Sequence, residues 1–332
     1  MESSIVLVAV VVIMALSFDF INGFHDTANA IATSVSTKAL TPRVAILLAS
    51  TMNLIGALTF TGVAKTIGGK IADPFALENG LFIVLAALTA AIAWNLITWY
   101  YGIPSSSSHA LIGSLTGAVI VAAGFSGVNF KGFLTILQAL ILSPFAAFGV
   151  GYIIMTTLRF IFKNANPQTV NRGFRSMQVL TAAFQAFSHG TNDAQKSMGI
   201  ITFALIAGGF HQTLDIPFWV KISCALAMAL GTSAGGWKII KTVGSKIIKL
   251  QPISGFASDF TSATVIIGAT VLGQPVSTTH VISSAIMGVG SAKRISSVKW
   301  LTAQKMVTAW IITLPVTAVL AGLSYLIISV FL

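Results

Sequence analysis

The chain has 332 residues, of which 55% are hydrophobic and only 8% charged, and its mean hydropathy is +0.90. A globule of this composition could not cover its surface with water-facing side chains, so a soluble protein is excluded and an integral membrane protein is expected. The formal charge of +11 would suggest nucleic acid in a soluble protein. Here the positive residues sit in short connections between apolar segments, which reads as membrane topology and excludes a nucleic-acid partner.

The first apolar stretch covers residues 4–34 and is preceded by acidic Glu2 where a signal peptide would carry Lys or Arg, so it is expected to be a retained membrane segment. Nine more follow, at 42–64, 80–101, 104–124, 132–162, 177–210, 217–237, 253–272, 275–291 and 300–331. Their unbroken apolarity favours helices over barrel strands, which would alternate. The single cysteine, Cys224, lies within one of them, so no intramolecular disulfide can form.

Three motifs recur in the same order. NGFHDTANA (Asn22 to Ala30) matches HGTNDAQKS (His189 to Ser197), and TIGGKI from Thr66 matches TVGSKI from Thr242. PSSSSH from Pro104 matches PVSTTH from Pro275. The offsets, from Asp26 to Asp193, Thr66 to Thr242 and Pro104 to Pro275, are 167, 176 and 171 positions. Three matches in register indicate an internal duplication. The expected organisation is a first repeat at 1–162, a hydrophilic linker at 163–176 and a second repeat at 177–332.

Five segments per half is odd, so the second copy should enter the membrane from the opposite side. With both termini outside, fourteen Lys and Arg residues, from Lys38 to Lys305, face the cytoplasm. Only Lys65, Lys70, Lys131 and Lys221 lie outside, while Lys196 falls within a motif. This asymmetry supports a multi-pass protein of the plasma membrane with both termini extracytoplasmic. The fold class expected is an all-α polytopic membrane protein of two inverted-topology repeats, with broken helices and re-entrant hairpins, the architecture of secondary transporters.

The PSSSSH and PVSTTH turns have no charged flanks, which suits hairpin tips inside the protein at membrane depth. Pro104 and Pro275 are expected to start helices, whose free N–H groups and hydroxyls would make an anion site. Ser105, Ser106, Ser107 and Ser108 on one tip and Ser277, Thr278 and Thr279 on the other are the candidate donors to a tetrahedral oxyanion. Asn29 and Lys196 are further candidates. Ser and Thr in membrane helices also serve as packing glue, but duplication at matching positions favours a site. His109 and His280 fit two readings, an N–H donor to the anion or an orienting group.

The other motif pair supplies acceptors. Asn22 and Asp26 share a helix face at i and i+4, as do His189 and Asp193, and the glycines between them are expected to let the backbone unwind. Carboxylates in a membrane are costly enough to mark function, and with amide oxygens they suit a hard monovalent cation. The candidate ligands are Asn22, Asp26, Thr27, Asn192 and Asp193. Asp19, Gln185, Asp259, His25 and His189 are candidates for a second cation site or a proton relay. A salt bridge of Lys196 with an aspartate is the plainer alternative for the two further carboxylates.

These motifs resemble those of the inorganic phosphate transporter (PiT) family of sodium- or proton-coupled symporters, whose repeated GANDVANA signature is similar to Gly23 to Ala30 and Gly190 to Ser197. The resemblance extends to PSSSSH and PVSTTH, so it covers both halves. It implies phosphate moved together with cations by alternating access, the signature aspartates at the cation and substrate centre, and a homodimer. Sodium is the coupling ion expected, with no resident cofactor. The departure is His25 at the signature's Asn position, which cannot offer an amide oxygen and introduces a titrating group. Proton-coupled phosphate symport and sulfate permeation are the alternatives. An intramembrane serine hydrolase using Ser107 and His109 is a weaker alternative, since an enzyme needs no symmetric pair of nucleophiles.

Overall fold

The computed structural model describes residues 2–73, 76, 77, 79–234 and 236–330, with side chains from Ile5 onward except that of Trp237. Twelve helices account for nearly all of them. They are α1 (Glu2–Ser36), α2 (Pro42–Ala57), α3 (Gly62–Lys70), α4 (Gly80–Tyr101), α5 (Ser107–Ala123) and α6 (Phe130–Ile161), then α7 (Pro167–Ala207), α8 (Phe218–Ala234), α9 (Trp237–Lys246), α10 (Pro252–Val271), α11 (Thr278–Lys293) and α12 (Trp300–Ser329).

The ten expected apolar stretches are all helical, and α3 and α9 are two helices more. TIGGKI and TVGSKI form the ends of these short helices, with Ile71 and Ile247 as their C-caps. Each is set off from its predecessor by a sharp bend, 68° between α2 and α3 and 73° between α8 and α9. The breaks expected in this fold are therefore here. Contrary to expectation, α1 and α7 run unbroken through NGFHD and HGTND.

The glycines in those motifs serve close approach instead. A Cβ on Gly23 would lie 2.4 Å from the Met228 carbonyl of α8, and one on Gly190 would lie 2.4 Å from the Asn53 carbonyl of α2. Small residues let helix backbones meet in this way, and packing of this kind drives association where lipid offers no hydrophobic force.

Among the described residues, four helices (α1, α4, α6, α12) are long and apolar enough to cross a membrane, or six spans if each bent pair counts as one. α7 and α11 are not among them; α11 has only 16 residues, and α7 brings buried His, Asn, Asp, Gln and Lys side chains to the interior. The protein is thus an all-helical, multi-pass membrane protein. The hydrophilic stretch 163–176 is helical from Pro167 on. Asn166 caps α7 by accepting the Gln168 N–H at 2.9 Å, and Pro167 sits at the first helical position, where its missing N–H costs nothing.

Helices exchange partners between the halves of the chain. α1 packs on α8 and α9, while α7 packs on α2 and α3; α5 packs on α12, while α6 packs on α11. α6 and α12 each contain an internal proline, Pro144 and Pro315. Two large apolar cores and a small third one around Phe174 result among the described residues. One large core gathers Val8 to Phe18 of α1 with Ala194 to Leu205 of α7, and the other gathers Ala28 to Ala32 of α1 with α9 to α11. The polar segment of α1 around Asn22 to Asp26 lies between them.

Outside the apolar spans, Lys65 of α3 bonds Asp215 at 2.6 Å. The lysine's hydrogen bond and charge hold the Asp215 carboxyl below its ordinary range. With a depressed folded pKa, whatever the pair contributes is present above the unfolded pKa and lost as pH falls through the folded one. Both side chains are largely exposed, at 48% and 74%, so solvent screens the pair. Asp215→Asn is expected to melt and transport like the wild type; a clear loss in a thermal melt would contradict this.

Candidate functional site: a buried carboxylate and hydroxyl centre

Two turns bring the hydroxyls inward. α4 ends on Gly102, whose φ of 65° is the left-handed conformation that glycine adopts without strain, and α10 is followed by Gly273 at 66°. The N–H groups of Ile103 and Gln274 then bond the carbonyls of Thr98 and Ala269 at 2.9 Å, which turns each chain back into the protein. The expectation that Pro104 and Pro275 start helices is corrected. Ser106 and Ser277 cap instead, accepting the N–H of His109 at 3.1 Å and of His280 at 3.2 Å, so α5 starts at Ser107 and α11 at Thr278. Each proline lies three residues before its helix, in the turn.

The tips meet. Ser108 Oγ donates to the Val276 carbonyl at 2.9 Å, and the His109 and His280 rings lie 4.5 Å apart. His280 also stacks on Trp310 at 4.1 Å, and Trp310 Nε1 donates to the Pro104 carbonyl at 3.1 Å. Both histidines therefore fasten the tips to α12 and to each other.

Against these tips stand the two aspartates, both buried. Asp26 accepts from Ser107 Oγ through a short bond and from Thr279 Oγ1 at 2.9 Å, so one carboxylate draws hydroxyls from both tips. Ser107 also donates to Asn22 Oδ1 at 2.9 Å, and Asn29 Nδ2 donates to Thr279 Oγ1 at 2.8 Å. Asp193 accepts from Thr278 Oγ1 at 3.0 Å and from Lys196 Nζ at 2.5 Å, with Asn22 Nδ2 at 3.5 Å and His189 Nε2 at 3.4 Å. Asn22 thus links the two carboxylates, reaching Asp26 through Ser107 and Asp193 directly. Four helices from both halves, α1, α5, α7 and α11, converge on one centre lined by oxygen atoms.

That convergence matches the comparison with known proteins. A model described as the phosphate transporter family matches residues 22–321. The chain belongs to this family. It is 60% identical over 330 residues to a probable low-affinity inorganic phosphate transporter of Bacillus subtilis (strain 168), covering 99% of each chain. It is 45% identical to a protein of the same description from Rhizobium meliloti (strain 1021), covering 94% of this chain and 93% of the other. Among solved structures it is similar to one described as the sodium-dependent phosphate transporter, with a TM-score of 0.87 and 26% identity over 98% of this chain and 100% of that one. The family is one of transporters, not of enzymes. Ser107 donates to Asp26 and Asn22, while His109 Nδ1 meets Ser106 at 2.9 Å, so among the described residues the Ser107 hydroxyl is bonded to a carboxylate and an amide rather than to an imidazole.

Of the other residues singled out in the sequence, His25 reaches the centre of this family member and the rest lie around it. Ser105 donates to Thr98 Oγ1 at 2.8 Å. Thr27 turns away from the carboxylates toward Asn53 Nδ2 and Thr232 Oγ1, each at 3.1 Å, because adjacent helical residues diverge by about 100°. Asn192 holds the second tip, bonding Thr270 Oγ1 at 3.0 Å, the Gln274 carbonyl at 3.2 Å and the Val276 N–H at 3.2 Å. His25, the residue at the matching position of the first half, approaches Asp26 Oδ1 at 2.7 Å through Nδ1 and Thr98 Oγ1 at 3.2 Å through Nε2.

The further polar candidates divide. Asp19 lies against Ser197 and Cys224. Asp259 forms a separate cluster, accepting from Thr33 Oγ1 at 2.5 Å and Gln178 Nε2 at 3.2 Å, with Thr37 donating to Gln178 at 2.7 Å. Thr33 is seven residues beyond Asp26, about 10 Å along α1. The Gln185 amide is buried with no hydrogen-bond partner among the described residues. Asn53, Thr98, Thr270 and Thr232 escaped the sequence reading. Thr98 lies six positions before Pro104 and Thr270 five before Pro275, so the two are not at matching positions and the repeat did not point to them.

Proposed function

We propose that this chain is a sodium-coupled inorganic phosphate symporter working by alternating access in the plasma membrane. The observation behind this reading is the meeting of two carboxylates with hydroxyls from both tips at one buried centre. In this proposal residues 1–162 and 177–332 are inverted repeats, the 102–106 and 273–277 turns are re-entrant tips, and both termini are extracytoplasmic. The exchange of helix partners between the halves supports it.

The chemistry supplies the coupling. Ser107, Thr278 and Thr279 donate their protons to aspartates rather than to an anion. Sodium favours oxygen ligands, and at Asp26 it can draw on the carboxylate, Asn22 Oδ1 and Asn29 Oδ1, which is buried without a hydrogen-bond partner among the described residues. A cation seated there replaces the hydroxyl protons as the carboxylate's partner. The freed O–H groups then turn to phosphate, and the cation offsets its charge. By linkage, phosphate in turn strengthens cation binding.

One observation favours proton coupling as a second reading, the approach of His25 Nδ1 to Asp26 Oδ1 at 2.7 Å, which gives the carboxylate a titratable neighbour. Purified protein in liposomes, with labelled phosphate or sulfate and with sodium and pH gradients imposed separately, decides both questions. The expected result is saturable phosphate uptake driven by inward sodium at equal pH. Uptake driven only by a pH gradient in sodium-free medium would replace sodium by the proton, and preference for sulfate would overturn the substrate.

A further inference from the structure

The two halves of the centre differ in a way that bears on how many ions move. At the fixed offset of 167, Asp26 corresponds to Asp193, Asn22 to His189 and Asn29 to Lys196. Two amides around the first carboxylate are thus an imidazole and an ammonium around the second. Asn22 and Asn29 each offer an oxygen to a cation, and Asn29 Oδ1 is unpartnered among the described residues. His189 and Lys196 present nitrogens to Asp193, at 3.4 and 2.5 Å.

The hydroxyls differ as well. Thr279 reaches across to Asp26, whereas its counterpart Ser108 donates to the Val276 carbonyl, so among the described residues Asp193 lacks the second hydroxyl that Asp26 receives. Lys196 is 1% exposed. A buried ammonium is tolerated only when paired, and removing its partner leaves an uncompensated charge. Its pairing with Asp193 is therefore a fixed feature of the site rather than an optional contact.

We infer that Lys196 is a tethered cation that fills, at Asp193, the place an exchangeable ion takes at Asp26, leaving the paired centre with one exchangeable cation position. The inference rests on the reading that the two aspartates form the coupling-cation centre. Physically, an ammonium on a four-carbon stem is a compact point charge, able to neutralise a carboxylate as sodium does but unable to leave with the cargo. A cation that stays behind offsets the charge of bound phosphate without adding to the driving force. The chain would then move fewer ions per phosphate than two equivalent carboxylate sites allow, and accumulate phosphate less steeply.

The test is a count. Lys196→Asn gives the second half the amide that Asn29 gives the first, and Lys196→Arg keeps the charge. Sodium bound per chain is measured on purified protein by equilibrium binding of labelled sodium. The sodium-to-phosphate ratio of uptake is measured in liposomes with both labels. Lys196→Asn is expected to bind one more sodium than the wild type and to raise the uptake ratio by one. At a tenfold sodium gradient, that extra ion raises the limiting phosphate accumulation about tenfold. Lys196→Arg should keep the wild-type count, and adding Asp193→Asn to Lys196→Asn should abolish the gained site.

An unchanged sodium count in Lys196→Asn protein that elutes as a single species overturns the inference. If that variant does not fold, Lys196→Gln presents the same amide on a longer stem and is counted in its place. If sodium neither binds nor drives uptake in any variant, the sodium reading above fails. The same comparison is then made with protons, from the pH gradient that just balances a phosphate gradient, and an equal proton count in wild type and Lys196→Asn overturns the inference separately.

Discussion

Asp26→Asn is expected to reduce cation-driven phosphate uptake roughly a thousandfold while leaving a folded protein. The magnitude follows from charge: a unit pair about 4 Å apart at an effective dielectric of about 20 interacts by about 4 kcal/mol, and each 1.4 kcal/mol is about tenfold in affinity. The fold should survive because the hydrogen bonds around this carboxylate can be redistributed. Oδ1 accepts from His25 and Thr279, and an amide oxygen can keep both contacts. The amide nitrogen then faces Ser107 Oγ, which already donates to Asn22 Oδ1 at 2.9 Å and can accept in return. Uptake into liposomes, beside the elution profile of the purified variant, measures both parts. Uptake within a few-fold of wild type would remove Asp26 from the coupling centre.

The position of that carboxylate was legible because the chain states it twice. Asp26 and Asp193 stand at one offset, and the serine and threonine tips at a closely similar one, so the residues that meet in space were already paired in sequence. Individual bonding roles were not legible, since they depend on rotation about a helix and on which half supplies the partner. Thr27 adjoins Asp26 in sequence yet bonds Asn53 and Thr232 on another face. Asn192 adjoins Asp193 yet clamps a turn more than eighty residues away. α3 and α9 fell mostly in the expected connections, beyond the runs that end at 64 and 237, because the lysines these short helices carry lower their hydropathy. The hydrophilic stretch before α7 read as linker because its polarity hid a capped helix start at Asn166 and Pro167.

The glycines of α2 and α8 present the other large effect. A Cβ on Gly231 of α8 would stand 1.9 Å from the Phe20 carbonyl of α1, and one on Gly56 of α2 would stand 2.2 Å from the Phe187 carbonyl of α7. Phe20 and Phe187 are themselves separated by 167 positions, so the two crossings are counterparts that bind each half's first helix to the other half's second. The obstructing atoms are backbone in both cases and cannot rotate aside. Gly231→Ala and Gly56→Ala must therefore push whole helices apart. Overpacking of this kind costs about 1–3 kcal/mol, and the displaced helix is the one bearing Asp26 or Asp193. Each substitution is expected to lower the melting temperature of the purified protein and its yield, and to depress uptake beyond what the lower yield explains. Gly149→Ala is the control: a Cβ there meets nothing within 4 Å, and alanine in a helix interior is favoured over glycine by about 1 kcal/mol. If Gly231→Ala melts together with Gly149→Ala, the α1 and α8 crossing is looser than drawn. The exchange of helices between halves would then not be what fixes the two aspartates against the tips.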